Sequence, residues 1–188
     1  MELTTIYTIV GFALAGYSVI ANDSIQTLGT FIASKQKWFK WYTLASSASF
    51  VMAIAITWGW YSYDGDISYG RLNRIPFQEI QWYHAVAPAI LLVLTRIGIP
   101  VSTTFLVLSA FASTVVLEKM LMKSVVGYGL AAVVAYLAWI VVSKFINEKF
   151  DEVQDKWIGF WRNSVWVTSG WLWWVWLSHD VANIAVYL

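Results

Sequence analysis

The stretch "LLVLTRIGIPVSTTFLVL", residues 91–108, joins two apolar runs with no polar loop between them. The runs cover about 85–97 and 100–117. Each is short against the ~20 residues with which a helix crosses the hydrocarbon core. Gly98 and Pro100 break a helix at the join, and Arg96 stands beside the break. Two short helices meeting there read as a re-entrant helical hairpin over about 85–117. Its tip stays at membrane depth, where irregular backbone has to be packed in protein or line a wet cavity. The competing reading is two ordinary spans joined by a tight turn.

The rest of the chain fits that setting. Only 12% of its residues are charged and 59% are apolar, with a mean hydropathy of +0.61, whereas soluble domains carry about 25% charge. Further apolar runs lie at about 4–32, 41–62, 124–145 and 157–188. The expected fold is therefore all-α, a polytopic protein of the cell membrane with the lipid bilayer as its solvent. A net charge of +1 spread over twelve Lys and Arg gives no basic face for nucleic acid. With no Cys, disulfides and thiolate metal sites are excluded. The first apolar run carries Glu2 and no basic leader, so it does not read as a cleaved signal peptide.

Lysines set the expected orientation. The 35–40 loop holds Lys35, Lys37 and Lys40 without an acid, and 144–156, on the same side by parity, holds Lys144, Lys149 and Lys156. On the opposite side Arg71, Arg74, Lys119 and Lys123 are diluted by Asp64, Asp66 and Glu79. This places the N-terminus outside. Thirteen Trp suit interfacial anchoring, but "WLWWVW" (171–176) is dense enough that part of it should pack against other helices.

Two acids stand inside the apolar runs, Asp23 in "VIANDSIQTLGT" (19–30) and Asp180 in "WLSHDVANIAVYL" (176–188). A carboxylate at a helix centre costs about 2.5–3.5 kcal/mol on insertion scales, which makes it a functional candidate facing the bundle interior. Laying Asp23 on Asp180 puts Asn22 on His179, Gln26 on Asn183 and Thr27 on Ile184. The two helices run antiparallel by span count. Interrupted polar helices in antiparallel positions are the pointer to inverted repeats. The expected division is 1–156 as a first repeat and 157–188 as the first helix of a second, incomplete one. A hard cation such as sodium takes carboxylate and amide oxygens with freed backbone carbonyls. Asn22, Asp23, Gln26, Thr27, Asp180 and Asn183 could supply them, with Asp23 and Asp180 as the charged ligands. The bland alternative is that each Asp caps a helix or sits at the headgroups.

"GIPVSTTF" (98–105) has the opposite chemistry. Pro100 suits the first turn of a helix. The open N–H groups of Val101, Ser102 and Thr103, with the hydroxyls of Ser102, Thr103 and Thr104, would make an anion site at the positive end of the helix dipole. Arg96 adds charge there, or else pairs with an acid or snorkels to the surface. The hydroxyls could equally bond the preceding turn.

These residues together resemble the sodium- or proton-coupled inorganic phosphate transporters. That family carries Gly-Ala-Asn-Asp-Val-Ala-Asn-Ala in each of two inverted repeats, each followed by a Gly-Leu-Pro-Val-Ser-Thr-Thr-His hairpin. Here "ANDSIQTLGT" looks like the first motif, "GIPVSTTF" like the hairpin and "SHDVANIA" like the second copy of the first motif, in matching order over essentially the whole chain. Ser24-Ile25-Gln26 stands in place of Val-Ala-Asn, Phe105 in place of His, and His179 in place of Asn. The resemblance implies a secondary active transporter. Phosphate would sit between hairpin tip and broken helices, and sodium or a proton at the Asp motifs would be its coupling ion, with no other cofactor. It also implies a second hairpin, supplied by a longer chain or by a second subunit of an oligomer. Some relatives are similar to sulfate permeases, so another oxyanion is the alternative cargo.

Two other classes compete. A membrane phosphohydrolase would use His179 and Asp180, but adjacent helical residues point about 100° apart and cannot face one metal. His84, the other His, is expected near the surface on the first hairpin arm. An enzyme is therefore not expected. A non-transporting assembly subunit would keep the polar motifs as helix-packing glue.

Overall fold

Long apolar runs close their backbone hydrogen bonds within themselves, and the described residues of these runs are mostly helical. The structure is a computed structural model that describes residues 2–99, 101–146 and 155–188. Helix α1 spans Leu3–Lys35, α2 Trp41–Ser62, α3 Trp82–Arg96, α4 Thr103–Leu108, α5 Thr114–Val141, α6 Asp155–Asp180 and α7 Ala182–Ala185. A 3-10 turn at Arg71–Arg74 lies in the α2–α3 connection, and a π turn at Val142–Ile146 extends α5. Among the described residues there is no strand.

Among the described residues, three helical stretches are long and apolar enough to cross a membrane: Leu3–Lys35, Trp41–Ser62 and Thr114–Lys144. Helix α6 is not among them, because Arg162, Asn163 and a high share of Trp lower its hydropathy. The 157–188 run is thus less apolar than its aromatic count suggests.

Four expectations are corrected. First, α1 runs unbroken through Asn22 and Asp23. The polar side chains are satisfied by other elements, so the backbone has no need to unwind, and Thr27 Oγ1 folds back on the Asp23 carbonyl at 2.6 Å. The α6 helix does give way, for the single residue Val181 after Asp180. Second, the 100–117 run is not one arm. Helix α4 has six residues, turns at 109–113 follow, and α5 begins at Thr114, taking Glu118, Lys119 and Lys123 into its first turns. Third, α4 starts after Ser102, whose Oγ accepts the Phe105 N–H at 3.3 Å. Val101 and Ser102 therefore precede the helix, and Pro100, expected in its first turn, lies outside the described residues. Fourth, His84 is fully buried. Its ring stacks on Phe111 (centroids 4.2 Å apart), and its Nδ1 accepts the Gln81 N–H at 2.8 Å, closing a capping box at the start of α3.

The expected break after Arg96 is present. Gly98 has φ +79°, a left-handed conformation that costs a residue with a Cβ about 1–2 kcal/mol.

Helices α1 and α6 pack antiparallel. Phe31 meets Trp166 edge-on (centroids 4.8 Å apart), Lys35 Nζ donates to the Arg162 carbonyl at 3.1 Å, and at the other end Gly11 lies against the Tyr187 ring. Helix α2 joins through Trp173, whose indole N–H donates to the Ala48 carbonyl at 3.1 Å. So part of the Trp cluster is core, as expected, while Trp171 stays exposed. One apolar cluster gathers Leu28, Phe31, Leu44, Ala55, Trp173, Leu177 and Val181. A second gathers Ala15, Leu91, Val107, Phe111 and Tyr187. Asp23 lies between them along α1, flanked by Ala15 and Leu28, and Asp180 stands beside Leu177 and Val181 of the first.

Candidate functional site: two aspartates on adjacent threonines

The polar centre is built by three elements. Helix α1 brings Asn22 and Asp23, the α6–α7 junction brings Asp180 and Asn183, and α4 inserts its first two residues between them. Thr103 Oγ1 donates to Asp23 Oδ1 at 2.7 Å, and Thr104 Oγ1 donates to Asp180 Oδ1 at 2.6 Å. Adjacent helical residues point about 100° apart, so consecutive threonines can each hold a carboxylate from a different helix. That also brings the two like charges within electrostatic reach of each other.

Each carboxylate has a second donor. Asn22 Nδ2 lies 3.0 Å from Asp23 Oδ1 and 2.9 Å from Thr103 Oγ1. Asn183 Nδ2 lies 3.3 Å from Asp180 Oδ1 and 3.2 Å from Thr104 Oγ1. The result is two Asp–Asn–Thr triads. Asn22 precedes its Asp by one residue, whereas Asn183 follows its Asp by three, so the triads match in chemistry and not in register. The overlay column that set Asn22 on His179 has no structural counterpart. His179 is outside the centre, its Nδ1 2.7 Å from the Val175 carbonyl.

The Asn22 amide orientation follows from its neighbours. Its nitrogen faces the Val101 carbonyl at 3.1 Å as well as the Asp23 carboxylate, and both only accept. Its Oδ1 faces the Thr95 hydroxyl at 3.3 Å, which also donates to the Leu91 carbonyl at 2.8 Å. Asn22 thus serves its Asp as a donor. Asn183 Oδ1 and Asp23 Oδ2, in contrast, are buried and have no hydrogen-bond partner among the described residues. Unmatched buried acceptors with full burial of Asp23 and Asn183 are complementary to a cation or a proton, and the donor set is all oxygen, which suits a hard ion.

The other expected residues divide. Gln26, exposed, donates to the Val101 carbonyl at 3.4 Å, and Thr27 is turned onto its own helix. Ser102 caps α4. The hydroxyls of Thr103 and Thr104, expected to meet an anion, donate to the two carboxylates. Arg96 reaches the Tyr17 hydroxyl at 3.3 Å on an exposed face.

Sequence reasoning missed Thr95, the Val101 carbonyl and Arg71. Arg71, in the α2–α3 connection, is partly buried, which lowers its pKa, and the charge of Asp180 works against that shift. Nothing local marks a threonine near a helix end or an arginine in a loop as belonging to a centre built by residues far along the chain.

Comparison with protein-family profiles, with curated proteins and with solved structures finds no match.

Proposed function

We propose that this chain is a polytopic membrane protein of the cell membrane that moves inorganic phosphate by secondary active transport, coupled to sodium or protons at Asp23 and Asp180. One observation carries the reading: two Asp–Asn–Thr triads from antiparallel helices converge on Thr103 and Thr104. Two buried acids in an apolar bundle are costly unless their charge is balanced. A coupling cation balances them each time it binds.

The antiparallel packing of α1 and α6 supports inverted repeats, 1–156 and a second from 157. Helices α3 and α4 with the turn at Gly98 then form the re-entrant hairpin, with the N-terminus outside. In this scheme a second hairpin, from the same or another polypeptide, faces α4 across the triads. The engagement of Thr103 and Thr104 orders the cycle. Their hydroxyl hydrogens point at the carboxylates until a cation takes those oxygens, which frees them to turn to phosphate together with Ser102. Arg71, which interacts electrostatically with Asp180, supplies a positive charge.

The test is uptake of labelled phosphate by the protein in vesicles under a sodium gradient, a proton gradient or none, with sulfate as competitor. Gradient-driven uptake is expected. Strong sulfate competition reassigns the cargo within the oxyanions. The absence of gradient-driven uptake of either anion sinks the transporter and leaves a non-transporting membrane subunit.

A further inference from the structure

The turn between α1 and α2 forms an open recess of about 400 Å³ lined by residues 36–42. Its floor is fixed. Gln36 N–H donates to the Ile32 carbonyl at 2.8 Å, and the N–H groups of Trp38 and Phe39 donate to the Lys35 carbonyl at 2.9 and 3.0 Å. Buried Lys35 ties the turn to α6 through the Arg162 carbonyl, and Phe39 packs edge-on against Trp166 at 5.2 Å. Lys37 and Lys40 stand exposed on this floor. No acid occurs anywhere between Asp23 and Asp64. Trp38 and Trp41 flank the cations with relative exposures of 80% and 79%, and α6 brings half-exposed Trp157 and Trp161 to the same end of the bundle.

We propose that this recess binds the headgroup of an anionic phospholipid, with Lys37 and Lys40 on its phosphodiester and the Trp38 and Trp41 indoles beside its glycerol and upper acyl chains. The inference rests on the membrane reading alone and not on transport. Charge complementarity calls for an anion, and the flanking indoles call for one with an apolar body. Free phosphate would leave both indoles uncovered. A zwitterionic lipid would set its own ammonium beside the lysines.

The test titrates the purified protein in a zwitterionic detergent with phosphatidylglycerol or phosphatidylcholine and counts bound lipid by native mass spectrometry. Phosphatidylglycerol is expected to bind the more tightly. K37Q/K40Q should weaken it about 25-fold, since each basic side chain at an anionic surface contributes roughly fivefold. Both lysines are exposed, so the fold should persist, as helical circular dichroism will report. K119Q/K123Q, exposed on α5, should leave binding unchanged. Unaltered affinity in K37Q/K40Q, or displacement of the lipid by millimolar inorganic phosphate, overturns the proposal. Uptake is not read, so a failure of transport leaves it standing. A chain that inserts into vesicles of neither lipid overturns the membrane reading and this inference together.

Discussion

Thr103 and Thr104 are one residue apart, yet each serves a different carboxylate, so their loss should be felt at both helices. A hydrogen bond to a charged group is worth about 1.5–3 kcal/mol. T103V and T104V are each expected to lower stability by roughly that much in a detergent melt, with T103S and T104S close to wild type. Equal melting of all four would mean that the hydroxyls are idle. D23N and D180N should each abolish cation-coupled uptake while leaving insertion intact, since an amide keeps the shape and drops the charge. Wild-type uptake in both would remove the aspartates from the mechanism. Gly11 matters for space: a Cβ there would overlap the Tyr187 ring, which cannot move freely because its hydroxyl is bonded to the His84 carbonyl at 2.6 Å. G11A should cost about 1–3 kcal/mol, as overpacking does. At this scale the sequence was most readable where chemistry was out of place. Asp23 and Asp180 stood out against apolar neighbours, and the Ser-Thr-Thr run against the hairpin, but the partner each would choose was not written beside it. Donors that look free in sequence went to the nearest buried carboxylates, because an unpaired buried charge is the costlier defect.

The elements were readable where backbone chemistry is explicit and hidden where it is not. Gly98 announces the turn after α3 and should be hard to replace: G98A forces a Cβ into φ +79° and is expected to destabilise by about 1 kcal/mol or more. The break between α4 and α5 carries neither Gly nor Pro. Ala112 and Ser113 look like any apolar stretch, and so 100–117 read as continuous. The α2–α3 connection is held by Asp66, whose carboxylate accepts from the Ser68 N–H at 2.7 Å and the Gly70 N–H at 2.9 Å. Partial burial works against that charge, but the Ser68 hydroxyl and these two N–H groups outweigh it and hold the carboxyl below its ordinary 3.8. A depressed folded pKa means that the turn's contribution is complete above the unfolded value and is lost as pH falls through the lower, folded one. Hydrogen exchange at the Gly70 amide should therefore quicken in acid, relative to distant amides, only below pH 3.8. D66N should show the faster exchange already at neutral pH. Identical protection in D66N at pH 6 would refute this account of the turn.

For the molecule as a whole, the antiparallel pairing of α1 and α6 can be checked directly because the chain has no cysteine. Phe31→Cys combined with Trp166→Cys should cross-link through a short bismaleimide, and Phe31→Cys alone should not. Failure of the double variant would contradict the packing. The same pairing fixes how deep the polar centre lies. Asp23 is twelve residues from Lys35, about 18 Å along a helix that rises 1.5 Å per residue, against a hydrocarbon core about 30 Å thick. If the Lys35 end of α1 marks the headgroup level, an ion reaching the aspartates from either face crosses roughly half of the electric field. A full crossing is worth about 2.3 kcal/mol per charge per 100 mV, so half of it changes a dissociation constant about sevenfold. Sodium binding to this protein in a polarised vesicle should then follow the membrane voltage, and an affinity that ignores voltage would put the two aspartates at the surface.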